Sequence, residues 1–94
     1  MILEILTPEA IVFKGQVDAV TLPGLNGNFQ LLTGHAEIIS ALKPGTVRFN
    51  SGEANLAENQ FLTPDSSHAN SYLFSIQGGV VELLENKIVL LAEV

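Results

Sequence analysis

The sequence predicts an all-β domain, a two-sheet sandwich or flattened barrel. Three observations predict it. Apolar residues recur with a period of two rather than 3.6 along most of the chain, the apolar segments are short, and Gly, Pro and Asn separate them at close spacing. Nine such segments within a single domain spanning residues 1–94 suggest two packed sheets.

The first segment, "ILEIL" (residues 2–6), stops at Thr7-Pro8, and "IVF" (11–13) leads to Lys14-Gly15. The third, "QVDAVTL" (16–22), stops at Pro23-Gly24. Pro23-Gly24 is expected to set one tight reversal and Asn26-Gly27 a second, so that Leu25 and Asn28 project outward at a loop tip. "NFQLL" (28–32), "EIISAL" (37–42) and "TVRF" (46–49) follow. Residues 50–70, "NSGEANLAENQFLTPDSSHAN", are rich in Asn, Ser and acids, with a weak apolar centre at Phe61-Leu62. They read as a long polar excursion between two strands, with a short extra strand expected at "NQFLT" (59–63). In "SYLFSIQ" (71–77), Tyr72, Phe74 and Ile76 alternate with Ser71, Leu73, Ser75 and Gln77, which gives one buried face and one mostly wet face. "VVELL" (80–84) and "KIVLLAE" (87–93) are joined by a hairpin turn at Glu85-Asn86-Lys87. Both parities of the last strand are apolar, so it is either covered on both sides or sits at an interface.

A chain of 94 residues is near the lower end of what buries a self-sufficient core, and without cysteine that core must be held by apolar packing alone. Thiol chemistry is excluded with the cysteines. Hydrophobic residues make up 47% and charged residues only 15%, the latter well below the usual ~25%. A dense β core and a sticky face covered by another subunit both account for that balance. The net charge of −6, with only Lys14, Lys43, Arg48 and Lys87 on the positive side, leaves no basic stripe for nucleic acid. No apolar run approaches the ~20 residues of a membrane span, and "MILEILTPE" lacks the basic start and long apolar centre of a signal peptide, which points to the cytoplasm.

Catalytic raw material is sparse. A hydrolase would draw on His35, His68, Asp65, Glu37 and several serines. "DSSH" (65–68) lies in the polar excursion and reads as a solvated loop, whereas His35 and Glu37 share one face if extended but have no nucleophile beside them. Two histidines 33 positions apart, without clustered carboxylates, have no recognisable metal-ligand spacing. The glycines of "LPGLNG" are followed by neither a helix pattern nor a lysine, so they form no phosphate loop. No metal or cofactor is implied.

The ordered combination of "LPGLNGNF", "TGHA", "SALKPG" and "GGVVE", within "ILTPEAIVFKGQVDAVTLPGLNGNFQLLTGHAEIISALKPG" and "QGGVVELLENKIVLLAE", resembles the epsilon subunit of bacterial and chloroplast F-type ATP synthases, the counterpart of the mitochondrial delta subunit. The resemblance runs from Met1 to about Val47 and resumes from Tyr72 to Glu93. It implies a ten-stranded β-sandwich at the foot of the central stalk. There the subunit binds the gamma subunit on one side and the ring of membrane c subunits on the other, rotates with both, and takes no small-molecule substrate. It also implies a peripheral position on the cytoplasmic face of the bacterial inner membrane and a non-catalytic role, coupling proton-driven ring rotation to gamma during ATP synthesis.

Carried over residue by residue, the ring-contacting loop falls on Gly24, Leu25, Asn26, Gly27, Asn28 and Phe29, and the gamma-facing positions on Thr7, His35, Ser40 and Gln77. A core or turn histidine bonded to nearby backbone is the bland alternative for His35. Members of the family often carry an acid where Asn28 stands and prolines where Thr33 and Glu37 stand, and their equivalent of 50–70 is a shorter hairpin. They typically continue into a helical hairpin that inhibits ATP hydrolysis, whereas this sequence stops at Val94. If that is its natural length, the expectation is a subunit that couples without inhibiting by that route. The rival expectations are a generic β-sandwich adaptor unrelated to ATP synthase, a small hydrolytic protein using His35 and Glu37, and an excursion that replaces the missing hairpin as a regulator.

Overall fold

In a computed structural model, which describes residues 1–53 and 56–94, the chain forms ten strands. They are β1 (Ile2–Leu6), β2 (Ile11–Gln16), β3 (Ala19–Gly24), β4 (Gly27–Leu32), β5 (Ile38–Leu42), β6 (Gly45–Asn50), β7 (Thr63–Pro64), β8 (Ser71–Ile76), β9 (Gly78–Leu84) and β10 (Lys87–Glu93). Hydrogen bonding runs continuously in the order β2-β1-β10-β9-β5-β3-β6-β8-β7, with β4 paired to the other side of β3. The sheet curls until its two halves face each other. Leu3, Ile5, Val81, Ile88 and Leu90 of the first half and Val20, Leu22, Val47 and Phe49 of the second belong to one buried cluster. Phe13 of β2 meets Phe49 of β6 with ring centroids 4.7 Å apart, across the interior.

The alternation in the sequence accounts for the burial, since side chains of a strand point to opposite faces in turn. β10 buries Ile88, Leu90 and Ala92 and leaves Leu91 exposed, while β8 buries Phe74 and Ile76 and exposes Ser75. On the second apolar parity of "KIVLLAE", Val89 is half-buried and Leu91 is exposed among the described residues. In β2, both Val12 and Phe13 are buried because the register with β1 shifts between Ile5 and Leu6, a bulge that turns two consecutive residues inward.

Several boundaries differ from expectation. Lys14-Gly15 does not break a strand; β2 runs through them, and the reversal falls at Val17-Asp18, where Val17 is buried and donates its N–H to the Met1 carbonyl. Pro23-Gly24 is likewise strand, its place in the ladder tolerated because the Pro23 carbonyl still accepts from Lys43 N–H at 2.9 Å. The last hairpin turns on Glu85-Asn86 alone, both at positive φ (50° and 62°), and Lys87 already belongs to β10.

The excursion is not a free loop. It has a 3-10 turn at Leu56–Glu58 and only the two-residue β7 where a strand over 59–63 was expected. Leu56 and Leu62 enter the core. Its polar groups dress the outer edge of β2: Glu53 Oε1 accepts from Gln16 N–H (3.0 Å), Asn59 Nδ2 donates to the Val12 carbonyl (2.7 Å), and the Ser51 hydroxyl donates to the Gln16 carbonyl (2.5 Å). Edge strands left bare recruit other strands, and these contacts occupy that edge.

Candidate functional site

The hairpin expected to meet the ring is built on one reversal, not two. Gly24 pairs directly with Gly27, so Leu25 and Asn26 form the tip alone. Gly27 sits at φ +121°, and a Cβ on Gly24 would lie 2.8 Å from both the Gly27 carbonyl and the Phe29 ring, so both positions require glycine. Phe29 is half-buried, and its ring lies against the Gly24 backbone. Leu25 is 63% exposed at the tip, with Asn26 and Asn28 exposed beside it. An apolar side chain held out on a two-residue turn is suited to insertion between neighbours, not to chemistry.

The four positions expected to face gamma do not form a cluster. Thr7 and Gln77 flank the end of β10: Leu6 pairs with Leu91, and Gln77 N–H donates to the Glu93 carbonyl at 2.7 Å. Ser40 lies midway along β5, opposite Val81, and is half-buried. His35 is at the far end, in the turn after β4, where its N–H donates to the Leu32 carbonyl (3.0 Å) and Nδ1 lies 2.6 Å from the Ala36 carbonyl. In this geometry it is a turn histidine bonded to local backbone.

Thr7 and Gln77 lie at one end and His35 at the other of a face that the sequence did not assemble, whereas Ser40, opposite the buried Val81, turns to the inward side of β5. Across the outward side of β2, β1, β10, β9 and β5, register places Ile11, Leu6, Leu91, Val80 and Ala41 in one lateral row. A second row holds Lys14, Glu4, Val89, Glu82 and Ile39, and Leu84 continues the apolar surface along β9. Ile11 is 66%, Ile39 73% and Leu91 54% exposed. Lys14 and Glu4 pair with each other at 3.7 Å. A cleft of about 470 Å³ opens at the Thr7 end of this face, lined by Leu6, Thr7, Pro8, Gly79, Val80, Leu91, Ala92 and Glu93. Exposed apolar residues scattered singly are ordinary, but a contiguous set on one sheet face marks a surface to be covered.

The hydrolase candidates lie in two separate places, His35 and Glu37 in one exposed turn and Asp65 and His68 in the excursion. His35 and Glu37 are both exposed and frame no concave site together; a cleft that includes Glu37 is lined by Ile38, Ile39, Glu82, Leu83 and Leu84. Among the described residues, no group of three or more His, Cys, Asp and Glu is placed to hold a metal ion. The loop over 65–68 is solvated as expected at Ser66, Ser67 and His68, but Asp65 itself is the centre of a structural knot. The Asp65 side chain is only 9% exposed, accepts from the Ser67 N–H (3.0 Å), the Ser67 hydroxyl (2.7 Å) and the Ser71 hydroxyl (3.4 Å), and lies 3.6 Å from His68 and 4.0 Å from Arg48. The Ser67 hydroxyl, and then its backbone N–H, hold the Asp65 carboxyl below the usual carboxylate range against the opposing cost of burial, with His68 adding to the effect. The signal for this knot was the Asp-x-Ser spacing, which favours a side chain bonding its own backbone two residues on.

The profile of the family described as "ATP synthase, Delta/Epsilon chain, beta-sandwich domain" matches residues 1–94, the excursion included. The ATP synthase epsilon chain of Chlorobaculum tepidum is 38% identical over 91 residues, covering 97% of this chain and 86% of that protein. Among solved structures, this fold resembles a chain of the Tetrahymena thermophila mitochondrial ATP synthase central stalk and c-ring, with TM-score 0.70 at 11% identity, over 99% of this chain and 63% of that one. It also resembles a chain in the Euglena gracilis mitochondrial ATP synthase, in an assembly of OSCP, F1 and c-ring, with TM-score 0.73 at 17% identity, over 98% of this chain and 49% of that one.

Proposed function

The chain belongs to the ATP synthase delta/epsilon family, and from that premise we propose that it is a non-catalytic rotor subunit, coupling rotation of the membrane c-ring to the gamma subunit during proton-driven ATP synthesis. The observation that carries this reading is the uncovered apolar face of β1, β10, β9 and β5, bordered by Thr7 and Gln77 at one end and His35 at the other, while Ser40 lies on the opposite, inward side of β5. The gamma subunit covers this face. The ring is met by the hairpin from Gly24 to Phe29, with Leu25 and Asn26 leading, near the end of the molecule where Leu42 bridges Gly24 and Gly79.

Torque transmission needs interfaces that do not slip and a body that does not deform. Packed β cores have low compressibility, and permanent interfaces bury about 2,000 Å² or more around an apolar centre. Two separate surfaces on one stiff sandwich meet both needs. In the bacterial cell the subunit would sit peripherally, on the cytoplasmic side of the inner membrane. No helix of the described residues is long and apolar enough to cross a membrane.

The test is binding of the purified chain to the gamma-containing catalytic head of the same organism, prepared without this subunit. Val80→Asp and Leu91→Asp, both in exposed positions, are expected to weaken binding by roughly a hundredfold or more, as charges placed in an apolar interface centre do. Leu25→Asp is expected to leave that binding intact and to lower ATP synthesis in reconstituted vesicles. Unchanged binding in both Val80→Asp and Leu91→Asp would refute the face assignment, and absence of binding by the folded wild-type chain would favour an adaptor unrelated to gamma.

A further inference from the structure

The apolar face has a carboxylate in its middle. Glu82 is exposed on β9, with Val89 beside it on β10, Ile39 beside it on β5, and Val80 and Leu84 two residues away along its own strand. These four neighbours are apolar, Ile39 is the most exposed large hydrophobic residue described, and Glu37 lines a cleft with Glu82 beside Ile39 and Leu84. Among the described residues no Lys, Arg or His comes within 4.0 Å of Glu82. The nearest cation by register is Lys87, which pairs with Leu84 and so stands diagonally off Glu82, while Glu4, beyond Val89, is already engaged with Lys14.

In the free chain water solvates this carboxylate. Once the face is covered, that water is lost, and an unpaired buried carboxylate costs several kcal/mol. Apolar side chains flank Glu82 on both strands and along its own, and Lys87, which lines a cleft with it, forms no ion pair with it among the described residues. We infer that the covering partner presents a lysine or arginine side chain opposite Glu82, within an otherwise apolar contact. This inference rests on the reading that the face docks a partner, and it adds the chemistry of that partner. The paired charge would set register: one cation and one carboxylate amid apolar neighbours match in a single alignment, whereas apolar surfaces alone slide with little penalty.

The experiment uses the whole chain and the gamma-containing head as probe, comparing dissociation constants for Glu82→Gln, Glu82→Leu, Lys87→Ala and Val80→Asp. Glu82→Gln and Glu82→Leu are both expected to weaken binding roughly tenfold or more, because each leaves the partner's cation buried without its counter-charge. Lys87→Ala is expected to change it by less than about threefold, as rim charges do. If Glu82→Leu binds equally or more tightly, the carboxylate had no partner and the inference falls while the docking face stands. If Lys87→Ala weakens binding as much as Glu82→Gln and the double variant weakens it no further, the counter-charge is internal and the inference again falls. Val80→Asp without effect would remove the docking face itself.

Discussion

Two single residues, one strained and one stabilised by its neighbours, each yield a measurable consequence. Glu85 occupies a left-handed φ of 50° in the two-residue turn, where an L-residue other than Gly, Asn or Asp is strained by roughly 1–2 kcal/mol. Glu85→Asn is therefore expected to stabilise the domain by about 0.5–1 kcal/mol, read as a rise in Tm of roughly 2–8 °C in calorimetry. Asp65 is the opposite case, a residue stabilised in its charged form. Its folded pKa lies below its unfolded value near 3.9, so its contribution is fully present above about pH 4 to 5 and is lost as the pH falls through the folded value. Urea titrations of wild type and Asp65→Asn between about pH 2 and 7 are expected to show a stability difference that shrinks on acidification. A difference independent of pH would mean that the Ser67 and Ser71 contacts act through geometry alone.

At the scale of elements, the excursion over 50–70 and the edge strand β2 behave as one unit. Asn59 and Glu53 satisfy backbone groups of β2, and Leu56 and Leu62 complete the core beneath it. Asn59→Ala strips the Val12 carbonyl of its partner and is expected to cost about 1 kcal/mol in chemical denaturation. Replacing residues 52–68 by a short glycine-serine link uncovers the β2 edge and removes both leucines. The expected outcome is a destabilised protein that self-associates in light scattering, and a stable monomer would show that the edge needs no cover. The excursion's described polar contacts run to β2, β6 and β8, while Gln60, Phe61 and Thr63 line a cleft with Thr7, Glu9 and Val94 at the Thr7 end of the docking face. The element was visible in the sequence as a change of character, but its role was not. Glu53 finds Gln16 across 37 positions and Asn59 finds Val12 across 47, and neither contact leaves a local mark.

For the whole molecule, the closed side and the open side follow different physics. On the closed side Phe49, 1% exposed, stands between Phe13 and Tyr72, and Phe49→Ala is expected to cost about 3–5 kcal/mol, a large share of the stability of a domain this size. On the open side the outward residues Ile39, Val80, Leu84 and Leu91 are exposed. Val80→Asp with Leu91→Asp is expected to leave Tm within a few degrees while reducing self-association of the isolated chain, as sedimentation would show.

By itself the sequence determined that the chain is all-β, which residues of most strands turn inward, where the polar excursion lies, and which family it belongs to. Those features are local: period two assigns alternate side chains to opposite faces, and turn residues act within a few positions. Its errors were also local, because Pro23-Gly24 and Lys14-Gly15 carry the composition of a turn but are drawn into strands by pairing with Asn28 and Gly27 and with Glu4 and Leu3. Only the tertiary structure decided which outward residues become neighbours. Leu6 meets Leu91 and Ile39 meets Glu82 because β1 pairs in parallel with β10 and β5 pairs with β9. Such registers are set by the summed packing of the entire core, so the apolar face, and the carboxylate at its centre, exist only after the sheet has closed.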